Sequence, residues 1–176
     1  PETCPLCSRD ANSLRSRAKA GEFTVNGRTW TIYHNISPAT GQGHFIVVPE
    51  FLTNEANRRS QLLLDTPEAD DMLDIAAIAD GMGNAYITFN PDQGGASQNH
   101  LHGHLIPFPF DPATGAMIQP PITSALNEEL ASINGVKINR LSEYPAGAVL
   151  FEGPVREAAG IAKIYHNQVK SLGPVN

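Results

Sequence analysis

Three of the chain's six histidines, His100, His102 and His104, stand at strict two-residue spacing in Asn99-His100-Leu101-His102-Gly103-His104-Leu105-Ile106. An extended strand sends alternate side chains to one face, so the three imidazoles are expected to project together. At a rise of about 3.3 Å per residue the outer two lie roughly 13 Å apart along the strand, a poor fit to one shared metal ion. Imidazole acts near neutral pH as nucleophile, as general acid or base, or as metal ligand. The spacing therefore describes a groove in which each ring has its own task.

Just before the histidines comes Gly94-Gly95-Ala96-Ser97-Gln98. Small, flexible residues let backbone N–H groups and short polar side chains close around an anion, and phosphate is the natural candidate.

The run His100-Leu101-His102-Gly103-His104-Leu105-Ile106 resembles the signature of the histidine-triad (HIT) superfamily, and Gly95 to Gly103 resembles its galactose-1-phosphate uridylyltransferase branch. A second block, Tyr33-His34-Asn35-Ile36-Ser37-Pro38 followed by Gly43-His44-Phe45-Ile46-Val47-Val48-Pro49, resembles the family's paired turn and apolar strand. Both blocks lie in the family's order and cover roughly residues 22–107.

The resemblance implies a role for each position. His102 stands at the nucleophile position, with one ring nitrogen held by a backbone carbonyl of its own strand. His104 contacts phosphate oxygens or helps the leaving group depart. His100 supports the groove or, in zinc-bearing relatives, joins an N-terminal Cys-x-x-Cys pair. Cys4 and Cys7 match that pair, so Cys4, Cys7 and His100 are the candidate ligands of a structural zinc, which takes four Cys, His or carboxylate donors. Ser97 and Gln98 would donate to the phosphates, Asn90 would contact them, and Asn35 would bind a ribose hydroxyl. His34 and His44 read as structural, and the zinc histidine that relatives carry after the Val-Pro strand is missing in Glu50-Phe51-Leu52, so His44, Glu50 or Glu55 is the alternative fourth ligand. Ile32, Ile46 and Val48 read as base contacts or core. The resemblance also implies a homodimer and no organic cofactor.

The rest of the chain is expected to position these residues. With 176 residues and 41% apolar composition the chain can bury a real core, and a single domain over 1–176 is expected. Net charge of −6 disfavours a general nucleic-acid or anionic-membrane surface. No apolar run approaches a membrane span. Two cysteines make no disulfide framework and fit a reducing cytoplasm. Glu22–Val25 and Arg28–His34 read as a hairpin about Asn26-Gly27, because Asn-Gly suits a type I′ turn. His44–Val48, Asn84–Asn90 and the histidine run read as strands. Residues 53–64 and 67–82 read as helices, the second capped by Thr66 with Pro67 at its first position. Further on, 125–132 reads as a short helix, 136–141 and 148–151 as strands, and 154–172 as a terminal helix. The fold class is α+β: a HIT-like antiparallel sheet with helices packed on it. The motif-bearing core spans 22–107. Residues 108–176 form a C-terminal extension without a motif.

The leading function is nucleotidyl transfer or phosphorolysis: attack on the α-phosphate of a nucleoside polyphosphate or nucleotide sugar, through a nucleotidyl-histidine, with phosphate or a sugar phosphate as acceptor. One alternative is a HIT-type hydrolase with water as acceptor. His104 favours it, because the uridylyltransferase branch has Gln there. Another is a nucleotide- or metal-binding protein without turnover.

Overall fold

The computed structural model describes residues 6, 19–41, 43–49, 65–66, 69–90, 100–125, 127–142, 144 and 147–171. The chain divides into two compact units, Pro1–Pro109 and Phe110–Asn176. Both are mixed α and β, with every sheet antiparallel.

In the first unit β1 (Lys19–Val25), β2 (Arg28–His34), β3 (Phe45–Pro49), β6 (Ala85–Thr88) and β7 (Gly103–Pro107) form a sheet in the order β1-β2-β3-β7-β6. Asn26 and Gly27 hold φ of 50° and 74° at the first hairpin, as a type I′ turn requires. One face carries Trp30, Ile32, Val47, Leu101 and Leu105, packed with Ile78 of helix α1 (Asp71–Met82). Fully burying side chains of this size stabilises the fold by about 1.5–3 kcal/mol each. Ile32 therefore belongs to this core, on the face that α1 covers.

The helix begins later than the sequence suggests. Asp65–Thr66 (β4) pairs with Ala69–Asp70 (β5), which draws Thr66 into a short ladder. Asp70 takes over as cap, its carboxylate accepting from the Leu73 N–H at 3.0 Å. Gly83 closes the helix in the left-handed conformation. The expected helix over 53–64 and Pro67 lie outside the described residues.

A buried ionic clasp ties this helix to the hairpin. Arg28 pairs with Asp71 (2.9 Å) and with Asp74. The Asp74 carboxylate also accepts from Trp30 Nε1 and Asn26 Nδ2, both at 2.8 Å. Asp71 and Asp74 are fully buried. Charges survive burial only with partners of this kind.

In the second unit β8 (Asn127–Ile133), β9 (Val136–Leu141) and β10 (Val149–Glu152) form a sheet in the order β10-β9-β8. Helix α2 (Val155–Ser171) lies against β10, where Tyr165 meets Phe151 with ring centroids 5.6 Å apart. The short helix expected over 125–132 is instead strand β8. Its signal stands one residue beyond it, in Asn134-Gly135, whose φ values of 51° and 78° make a second type I′ hairpin. Among the described residues no helix is long and apolar enough to cross a membrane.

Candidate functional site

The site lies on the sheet face opposite α1. Register alone builds its floor: Tyr33 pairs with Ile46, Ile46 with His104, and His104 with Thr88, so these four side chains form a row across β2, β3, β7 and β6. Tyr33, Ile46 and Val48 pack with the buried Leu6.

The histidines do not form three teeth of one strand. β7 starts at Gly103, so His100 and His102 precede it and only His104 is a strand residue. His102 turns its Nδ1 back to the carbonyl of His100 at 2.6 Å, and His100 itself is fully buried. The rings that meet are instead those of His102, His104 and His44. His102 stands edge-on to His104 (centroids 5.1 Å, 69°), and His44 lies 5.0 Å from His104 on the other side. The His44 Nε2 is 2.8 Å from His104 Nδ1.

His44 is the residue that sequence reasoning missed. It read as structural or as a substitute zinc ligand, and it lies 60 positions from the His104 it meets. The available signal was parity: His44, just before β3, is in step with Ile46 and Val48, and Ile46 is the direct neighbour of His104.

The hydrogen-bond network assigns the protons. A carbonyl can only accept, so His102 carries its proton on Nδ1 and its lone pair on Nε2. The Ala39 backbone N–H reaches His44 Nδ1 at 2.9 Å, which makes that nitrogen an acceptor. The Asn35 amide nitrogen lies 3.3 Å from Nδ1 and 3.2 Å from Nε2, but the single lone pair of Nδ1 is already taken by the Ala39 N–H. His44 thus donates from Nε2 to His104 Nδ1, and the His104 proton sits on Nε2.

Electrostatics agree with three neutral rings. Burial lowers the pKa of His44. Burial also lowers that of His102, and the bond to the His100 carbonyl pulls partly the other way. His104 is pushed down to about 4, first by burial and then by repulsion from His102 and His44.

Gly103 has a packing reason to be glycine. A Cβ there would stand 3.0 Å from Ile87 Cγ2 and 3.5 Å from the Thr88 carbonyl oxygen. Asn35 accepts from the Ser37 N–H at 3.1 Å, shaping the loop that leads to His44. Asn90 follows β6 by two residues and is half-buried. Ser97, Gln98, Cys4, Cys7, Glu50 and Glu55 lie outside the described residues. Among the described residues no group of three or more His, Cys, Asp or Glu is gathered to hold a metal.

Compared with known proteins, the chain matches no family model, no curated protein and no solved structure.

Proposed function

We propose that the chain is a HIT-type nucleotidyltransferase or phosphorylase, with His102 as nucleophile. The observation that carries this reading is the His102 Nδ1 bond to the His100 carbonyl, which directs the lone pair to Nε2 of a ring kept neutral by burial. In the proposed reaction His102 Nε2 forms a bond to the α-phosphorus of a nucleoside polyphosphate or nucleotide sugar. The bond from phosphorus to the bridging oxygen breaks, and the leaving phosphate takes the electron pair and departs as an anion. His102 then carries a positive charge, which the His100 carbonyl oxygen faces. His104 donates a hydrogen bond from Nε2 to the phosphate oxygens and keeps its proton. An acceptor phosphate oxygen next attacks the same phosphorus, and the electron pair of the N–P bond returns to Nε2.

Asn90, Ser97 and Gln98 are proposed as phosphate contacts and Asn35 as a ribose contact. Cys4, Cys7 and His100 are the proposed ligands of a structural zinc: two thiols and a buried imidazole suit that ion. Leu6, between the two cysteines, already packs on the site face of the sheet. Such a zinc would fix the N-terminal segment and leave the chemistry to His102. The protein is proposed to act in the cytoplasm as a homodimer.

The test follows ³¹P NMR of the protein with diadenosine tetraphosphate and a panel of nucleotide sugars, with and without inorganic phosphate or hexose 1-phosphate. Products that require the acceptor and vanish in His102→Ala are expected. Nucleoside monophosphate formed without acceptor, and lost in the same variant, would move the assignment to hydrolysis, the reading that His104 favours. No turnover with any substrate would overturn both.

A further inference from the structure

We propose that the β6 edge beside His104 is the subsite of a hexose 1-phosphate, the group that leaves a nucleotide sugar and the group that accepts the nucleotidyl unit. This rests on the reading of His102 as nucleophile and deepens it, by naming the chemistry on the far side of the reacting phosphorus.

Strand parity sorts the side chains of β6. Ala85, Ile87 and Phe89 belong to the core beneath α1, so Tyr86 and Thr88 face the histidines. Thr88 is exposed and pairs directly with His104. Tyr86 pairs with Ile106, and its ring meets that of Phe108 with centroids 5.6 Å apart and planes at 30°. Both rings are half-buried, so each keeps part of its surface open. The hydroxyls of Tyr86 and Thr88 have no hydrogen-bond partner among the described residues.

The order of strands gives a substrate its direction. Asn35 donates its backbone N–H to the His44 carbonyl at 2.9 Å. One step along from the Phe45–Leu105 pair, His44 comes level with Ile106, and Ile106 pairs with Tyr86. Asn35, the proposed ribose contact, therefore stands three strand spacings from Tyr86, about 14 Å, with the histidines between them. A nucleotide with its ribose at Asn35 and its α-phosphorus at His102 directs whatever lies beyond that phosphorus toward β6.

The side chains there fit a pyranose phosphate. The Thr88 hydroxyl can donate to phosphate oxygens beside His104. The aromatic pair begins one two-residue step further, about 7 Å along the strand. Its rings touch each other, so no slot stands between them for a flat base to enter. They offer a one-sided apolar surface with a phenol hydroxyl at one end, which suits a sugar ring with a C–H face and outward hydroxyls. Water or inorganic phosphate would need no such surface.

Binding without turnover tests this. Glucose, galactose and mannose 1-phosphates are titrated by calorimetry into the parent protein, beside inorganic phosphate and adenosine, guanosine and uridine monophosphates. At least one hexose 1-phosphate is expected to bind about 10-fold more tightly than inorganic phosphate. Thr88→Val removes a hydroxyl and keeps the shape, Tyr86→Leu removes the ring, and Tyr86→Phe keeps it. Hexose 1-phosphate affinity should fall about 10-fold in Thr88→Val and Tyr86→Leu and much less in Tyr86→Phe, with nucleoside monophosphate affinity within about 2-fold throughout. Thr88→Val is a same-shape change at an exposed position, so it decides the matter even if Tyr86→Leu does not fold.

No hexose 1-phosphate binding by the parent would overturn the proposal. So would an affinity unmoved by Thr88→Val, or equal losses for the nucleoside monophosphates, which would make β6 part of the nucleoside site. A sugar-phosphate site that passes these tests in a protein forming no nucleotidyl-His102 would sink the nucleophile reading and leave the subsite standing. Turnover of diadenosine tetraphosphate without hexose 1-phosphate binding would do the reverse.

Discussion

At the scale of single residues, the site depends on small side chains as much as on imidazoles. Gly103 lies between His102 and His104, and a methyl group there would press on Ile87 Cγ2 at 3.0 Å. Gly103→Ala is expected to destabilise the protein by about 1–2 kcal/mol through overpacking. Ile87→Ala removes the obstructing methyl, so a double-mutant cycle read by denaturant unfolding should give a favourable coupling of about 1 kcal/mol. Strict additivity would contradict the packing account. The same glycine shows what the chain reveals by itself. His102 and His104 were legible in their two-residue spacing, and the carbonyl partner of His102 only through the family resemblance. His44 was not, because its partnership depends on the pairing of β3 with β7, and register is a property of the sheet rather than of any local run.

At the scale of elements, the clasp between hairpin and helix governs whether the sheet has a stable back. Asp74 gathers Arg28, Trp30 and Asn26 at one buried carboxylate. Asp74→Asn withdraws a charge from beneath a buried guanidinium and leaves it with Asp71. The expected cost is about 3 kcal/mol. For a chain of this size that corresponds to a melting temperature lower by roughly 6–12 °C in calorimetry. A shift within 2 °C or so would mean the clasp contributes little. The elements were unevenly legible. The first hairpin could be read because Asn26-Gly27 sits between two strand-forming runs. The second hairpin carries the same dipeptide at Asn134-Gly135, but Glu128, Glu129, Leu130 and Ala131 are good helix formers and pointed elsewhere. Strand pairing with β9 overrides that preference, and ion pairs from Arg140 to Glu128 and Lys137 to Glu129 run between the two strands.

At the scale of the whole molecule, neutral buried imidazoles make stability depend on acidity. In the unfolded chain His44 and His104 titrate near the ordinary value of 6.5, while folding lowers both, His104 to about 4. Between those values the unfolded chain binds more protons, so stability rises with pH. The contribution is complete above about pH 6.5 and is lost as pH falls toward 4. Melting temperature should therefore decline across that window, and His104→Gln should flatten the slope. A parent and variant with parallel profiles would exclude this linkage. The division at Pro109 falls close to the end of the motif-bearing core at 107, in a proline-rich stretch, while the sequence reading took 108–176 as an extension of a single domain.

Both hairpins turn on Asn-Gly, and that dipeptide ages: the bare glycine nitrogen can close on the asparagine amide carbon, expelling ammonia and leaving an acid after hydrolysis. At Asn134, which is exposed, the change adds a surface charge. At Asn26 it would set a new carboxylate against Asp74 in place of the amide that now donates to it. The residue pair that lets the first hairpin fold is thus also a slow clock, and what it runs down is the latch between the hairpin and the helix behind the histidines.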